Sequence, residues 1–188
     1  MSPFDFVCAF YSVVLGVAVA QLMTGVARLI EERDRVRWYW VHGAWVLTVL
    51  LGDVGNWWSM WQSRGVKNWS IFTFLLLIAL IGSIYVMTVL LFPRIAPTEE
   101  PIDLEQHYYK SRQIFFWATF ASWALALVCN WTLFPIELSD PWIVIPAIML
   151  VLSVVATLTA NRIYHAIFAM LGLVAMILVL VVEGAWIG

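Results

Sequence analysis

The chain has 188 residues, 63% of them hydrophobic and 12% charged, with a mean hydropathy of +0.90 and a formal net charge of −2. Soluble domains average about 45–50% apolar and about 25% charged residues, so this composition excludes an ordinary soluble domain. The small net charge excludes the basic footprint of a nucleic-acid binder.

Apolar stretches of 19 residues or more fill almost the whole length. Buried strands run roughly 4–8 residues, and barrel strands alternate over about ten. Hydrocarbon offers no partner to unpaired backbone groups, so only helices fit. A spanning helix needs about 20 apolar residues. Six spans are predicted in an all-α, single-domain bundle, at about 4–30, 38–62, 69–92, 114–134, 142–160 and 163–187.

The first span opens on Met1-Ser2-Pro3-Phe4-Asp5, without the basic region and small-residue cleavage site of a signal peptide, so it is expected to be retained. It holds Cys8, the small-residue pair Gly16 and Ala20, Gln21 and Thr24. A charge cluster follows, from Arg28 through Glu31, Glu32, Arg33, Asp34 and Arg35 to Arg37. Small residues four apart favour close helix packing, within the bundle or against a second copy or a partner membrane protein.

The second span carries the strongest signal for chemistry. Asp53 lies well inside it, with Asn56 at i+3. A carboxylate at the centre of a span costs about 2.5–3.5 kcal/mol on insertion scales, so it is expected to face the bundle interior or water. His42, Trp45, Val49, Asp53, Asn56 and Met60 form one stripe at helical spacing, and Gly52 and Gly55 admit another backbone beside it. A proton or cation site, or a pocket for a polar ligand, is the functional reading. The structural alternative is a carboxyl hydrogen-bonded to a neighbouring helix.

The third span carries Tyr85 and Thr88. The loop after it, 93–113, is the longest, and its second half is predicted to be a short amphipathic helix over 101–113 lying on the membrane before span four. Acidic residues gather at its start and Lys110 and Arg112 at its end, which complements the helix macrodipole. The fourth span ends with Cys129 and Asn130. The sixth begins near Asn161 and His165 and ends near Glu183.

Loops after spans one, three and five hold Arg28, Arg33, Arg35, Arg37, Arg94, Lys110, Arg112 and Arg162, eight basic residues against the two, Arg64 and Lys67, of the other side. The positive-inside rule then places both termini outside, in the periplasm if the source is a bacterium. On that topology Asp53, Asn56, Asn130 and Glu183 form an outer polar layer, with Glu183 near enough the interface to be merely interfacial. Gln21, Thr24, Arg28, His42, Tyr85, Thr88, Asn161 and His165 form an inner one. His42, His107 and His165 all map to the inner side, where three histidines suit a metal or haem site, although they lack HxxxH or HExxH spacing and a lone histidine at a helix end is more often a hydrogen-bonded interfacial residue.

Cys8 and Cys129 have similar depths, which permits a disulfide, while buried free cysteine is the common alternative. Nine of the twelve tryptophans fall near span ends as interface anchors, and Trp45, Trp57 and Trp123 lie deeper, as bundle packing or a surface for stacking a ligand. Nucleophile elbows, phosphate loops and CxxC pairs are absent.

Three stretches together are similar to a known group: 21–30 (Gln-Leu-Met-Thr-Gly-Val-Ala-Arg-Leu-Ile), 33–42 (Arg-Asp-Arg-Val-Arg-Trp-Tyr-Trp-Val-His) and 103–112 (Asp-Leu-Glu-Gln-His-Tyr-Tyr-Lys-Ser-Arg). The chain resembles small bacterial inner-membrane proteins described only as hypothetical, over its first two-thirds. The resemblance implies bacterial origin and six spans, and transfers no activity. A non-enzymatic role is expected. The leading version is a small transport or channel-like protein using the Asp53 layer. An accessory or sensory module docking a partner through its charged cytoplasmic loops, 28–37 and 99–112, with Lys110 and Arg112 as the docking residues, is the main alternative, and a haem- or quinone-binding redox protein the weaker one. No cofactor is named by any motif.

Overall fold

The computed structural model describes residues 2–66, 69–95, 100–134, 137–138 and 140–184, the side chains of 182–184 excepted. Six α-helices run through the described residues: α1 Pro3–Glu31, α2 Trp40–Gln62, α3 Ile71–Leu91, α4 Leu104–Leu133, α5 Pro141–Leu158 and α6 Arg162–Gly184. Two short strands, β1 Val36–Arg37 and β2 Ile102–Asp103, join them.

Helix starts follow their local chemistry. Ser2 and Asp5 close a capping box on α1, with Pro3 in the first turn. Ser70 caps α3 and Asp103 caps α4, each side chain accepting from the backbone amide three residues on. Asn161 Oδ1 accepts the amides of Ile163 and Tyr164 at the head of α6.

Five helices are long and apolar enough to cross a membrane: α1, α3, α4, α5 and α6 over Arg162–Val181. The second helix falls short by hydropathy, because His42, Asp53, Asn56 and five tryptophans occupy its 23 residues. It nonetheless packs along α6, α1 and α3.

The expected separate amphipathic helix at 101–113 takes a different form. Pro101 precedes β2, and the helix that starts at Leu104 continues unbroken to Leu133. Nothing between these residues interrupts it, since neither glycine nor proline occurs there. Leu104 and Tyr108 are buried in the bundle, while Lys110 is exposed.

The two strands pair in parallel, Val36 with Ile102 and Arg37 with Asp103. Each leads directly into a helix, so both run the same way. The pairing brings the ends of α1 and α3 to one end of the bundle, here the β end. An ion pair of 2.8 Å between Arg162 and Glu105 brings the α5–α6 turn there too. Leu29, Val36 and Leu104 form a small satellite core beneath the strands, with Phe92 and Ile102 against it.

In the main core, Trp45 meets Phe115, Phe116 and Phe168 edge to face at 5.2–5.4 Å. Helix α5 lies mainly on α4, and α6 mainly on α2.

Candidate functional site

Asp53 sits about 20 Å along α2 from its β-end start, at 1.5 Å per residue. It is 1% exposed, so it faces inward as its desolvation cost requires. Neither carboxylate oxygen has a hydrogen-bond partner among the described residues. The expected polar contact from Asn56 or Asn130 is therefore not made. Both asparagines are engaged elsewhere, for identifiable reasons.

Asn56 Nδ2 donates to the Gly52 carbonyl at 2.8 Å, one turn back on its own helix. The Tyr11 hydroxyl of α1 donates to the Asn56 carbonyl and side-chain oxygens, at 3.3 Å each. Asn130 serves α5. Pro146 lies inside that helix and has no amide hydrogen, which frees the Trp142 carbonyl four residues before it. Asn130 Nδ2 donates to that carbonyl at 3.4 Å. Glu183 falls in the last turn of α6, and its side chain lies outside the described residues.

Two adjoining cavities run beside this group, between α2 and α6 on one side and α3, α4 and α5 on the other. One, about 120 Å³, reaches toward the end away from the strands and is lined by Tyr11, Asn56, Ser63, Asn130 and Trp142 among others. The other, about 90 Å³, lies deeper, over Trp45, Thr48, Thr119 and Ser122. Gly52, Asn56, Trp123 and Met176 border both. Trp45 floors the deeper one on the β side, backed by Phe115 and Phe168. Asp53 lines neither, and Tyr11 and Asn56 join across the neighbouring turn of α2.

At the β end the three histidines do one kind of work. His42 Nε2 donates to the Leu91 carbonyl at 2.8 Å and His107 Nε2 to the Leu90 carbonyl at 3.0 Å. Both carbonyls end α3 and have no helical partner. His165 Nε2 donates to the Thr159 carbonyl, where α5 stops, at 3.0 Å. A carbonyl only accepts, so each ring carries its proton on Nε2. His165 Nδ1 then accepts from the Tyr108 hydroxyl at 2.9 Å. The convergence expected for a metal site is replaced by three separate helix-end contacts. Among the described residues no three His, Cys, Asp or Glu side chains gather closely enough to hold a metal ion.

The remaining inner-layer residues are dispersed. Asn161 is exposed and spent on its cap, and Tyr85 faces outward at 38% exposure. Thr24 and Thr88 bond back to their own helices. Gln21 and Arg28 share a third cavity at the β end with Arg94. Of the two expected docking residues, Lys110 is exposed, whereas Arg112 is half-buried and donates to the Tyr109 carbonyl of its own helix.

Cys8 and Cys129 are both free thiols. Trp57 is 55% exposed and points away from the bundle, while Trp45 is buried packing.

Sequence reasoning did not single out Tyr11 or the Ser83–Ser122 hydroxyl contact of 2.7 Å between α3 and α4. Pro146 was the available signal for Asn130, because a proline inside a span announces a carbonyl in need of a donor. Compared with known proteins, the chain matches no family model, no curated protein and no solved structure.

Proposed function

We propose that the chain is a small six-span protein of a bacterial inner membrane, both termini periplasmic, that moves a proton or small cation through the Asp53 region. The observation carrying this reading is Asp53 itself, 1% exposed on a helix inside an apolar bundle with both carboxylate oxygens unpaired. Ionisable groups at membrane depth are expensive and mark ion or proton pathways by default. Two adjoining cavities border Gly52 and Asn56 on the turns beside Asp53 and end at Trp45 without reaching its carboxyl, which suits alternating access better than an open pore. Tyr11 and Asn56, which line the cavity at the far end and bond to each other one turn along α2 from Asp53, are the gating contact in this reading.

The test is proton flux in proteoliposomes carrying an internal pH-sensitive dye. The wild-type protein dissipates an imposed pH gradient, Asp53→Leu does not, and Tyr11→Phe changes the rate. Equal flux from Asp53→Leu and wild type would retire the proposal.

One observation favours the accessory reading as a second. The β end is a built surface, where β1 and β2 pair, Arg35 donates to the Glu100 carbonyl at 3.0 Å, and Arg162 pairs with Glu105. A partner docking here requires Lys110, so Lys110→Glu abolishes co-purification of that partner while the protein stays folded. The redox reading has no comparable support, and an absorbance scan of the purified protein tests it directly.

A further inference from the structure

The β end holds a third cavity, of about 380 Å³, between α1, the end of α3 and the start of α4. Its volume lies within the roughly 300–1,000 Å³ usual for ligand sites. Gln21 and Arg28 enter it from α1, Arg94 from the segment after α3, and His107 and Ser111 from α4.

The arginines of this chain divide sharply. Arg33, Arg35, Arg37 and Arg162 pair with carboxylates, Arg112 donates to a carbonyl, and Arg64 lies over the Trp61 ring at 4.6 Å. Arg28 and Arg94 alone have no ion pair, hydrogen bond or ring contact among the described residues, and both border the same cavity. Among the described residues no carboxylate lines it. The negative ends of α3's peptide dipoles are also masked there, because the Leu90 and Leu91 carbonyls are taken by His107 and His42.

The rest of the wall is apolar and opens beside lipid-facing surface. Phe92 forms part of it by lying against α1 at Gly25, where an added methyl would overlap the ring. Val89 lines the cavity and is also 41% exposed on the outer face of α3. Two unpaired guanidiniums at a helix-end depth, over an apolar wall continuous with the lipid-facing surface, match an anionic headgroup above its acyl chains.

We propose that this cavity binds a phosphate-type anion, held by Arg28 and Arg94 with Gln21 as a neutral partner, and that a phospholipid headgroup supplies it. The inference does not depend on transport at Asp53 or on which side of the membrane the β end faces.

The experiment uses the purified, delipidated full chain in neutral detergent and follows thermal unfolding as phosphatidylglycerol, phosphatidylcholine or inorganic phosphate is added. At a hundredfold excess over Kd, phosphatidylglycerol raises Tm by about 5–10 °C. Phosphatidylcholine raises it little. The double variant Arg28→Gln/Arg94→Gln loses that shift, with affinity falling at least about tenfold. Arg28→Lys/Arg94→Lys keeps the charge and recovers part of it, and Arg64→Gln keeps all of it. An equal shift from millimolar inorganic phosphate supports the anion site and overturns the lipid as its source. An equal shift from phosphatidylcholine, or a full shift in a monodisperse glutamine double variant, overturns the site. If the glutamine pair does not fold, lipid retention by the lysine pair in native mass spectrometry decides: retention equal to that of a Gln21→Leu/Arg28→Lys/Arg94→Lys variant and of wild type overturns it.

Discussion

Replacing Asp53 separates a carboxyl kept for function from one kept for structure. On insertion scales an aspartate at the centre of a span is unfavourable by about 2.5–3.5 kcal/mol and a leucine favourable by about 0.3–0.6. Because neither Asp53 oxygen is hydrogen-bonded among the described residues, its removal strands no partner there. Asp53→Leu therefore gains about 3–4 kcal/mol of transfer energy, and the larger side chain in a packed site returns about 1–3 of it. The net expectation is stabilisation by about 1–2 kcal/mol, the middle of that range, and a rise in Tm of about 2–8 °C for a chain of this size. Asp53→Asn keeps size and polarity, and stays within about 1 kcal/mol of wild type. Tryptophan fluorescence during thermal unfolding in detergent reads both values. A more stable protein that has lost proton flux is the signature of a residue retained for function at the expense of stability. A loss of more than about 3 kcal/mol in Asp53→Asn would refute the reasoning, because it would mean the carboxylate has a partner whose charge or donor is left buried and alone.

Three further outcomes follow from contacts elsewhere. His165→Ala removes the donor to Thr159 and the acceptor for Tyr108 at a fully buried position, and destabilises by about 3–5 kcal/mol in the same unfolding assay, whereas Tyr108→Phe costs about 1–2 kcal/mol. Gly25→Ala forces Phe92 away from α1 and costs about 1–3 kcal/mol, and Gly25→Ala/Phe92→Ala recovers the part due to overlap while leaving a cavity of its own. A periplasm-active reporter is active when fused after Gly188 and inactive when fused near Thr98, and the reverse result inverts the proposed orientation.

Much of the architecture was readable along the chain because apolar run length and span-end charge are local properties. The helices other than α4, which starts ten residues early, fall close to the expected spans, and Asp53 is buried. Hydropathy alone leaves α2 ambiguous, for the same reason that it is informative: polar residues on its inward face lower its average.

What the sequence by itself determined is the medium, the helix count within one and the burial of Asp53, since each follows from the cost of placing a given residue in hydrocarbon. Which polar groups meet was decided only by the tertiary structure. Asn130 and the three histidines are equivalent in a sequence to candidate ligands. Their partners are backbone carbonyls released by Pro146 and by the ends of α3 and α5, and a carbonyl is present at every residue. The same holds for Arg28 and Arg94. They lie more than sixty residues apart, and only the packing of α1 against the end of α3 makes them two walls of one cavity while leaving the other arginines paired.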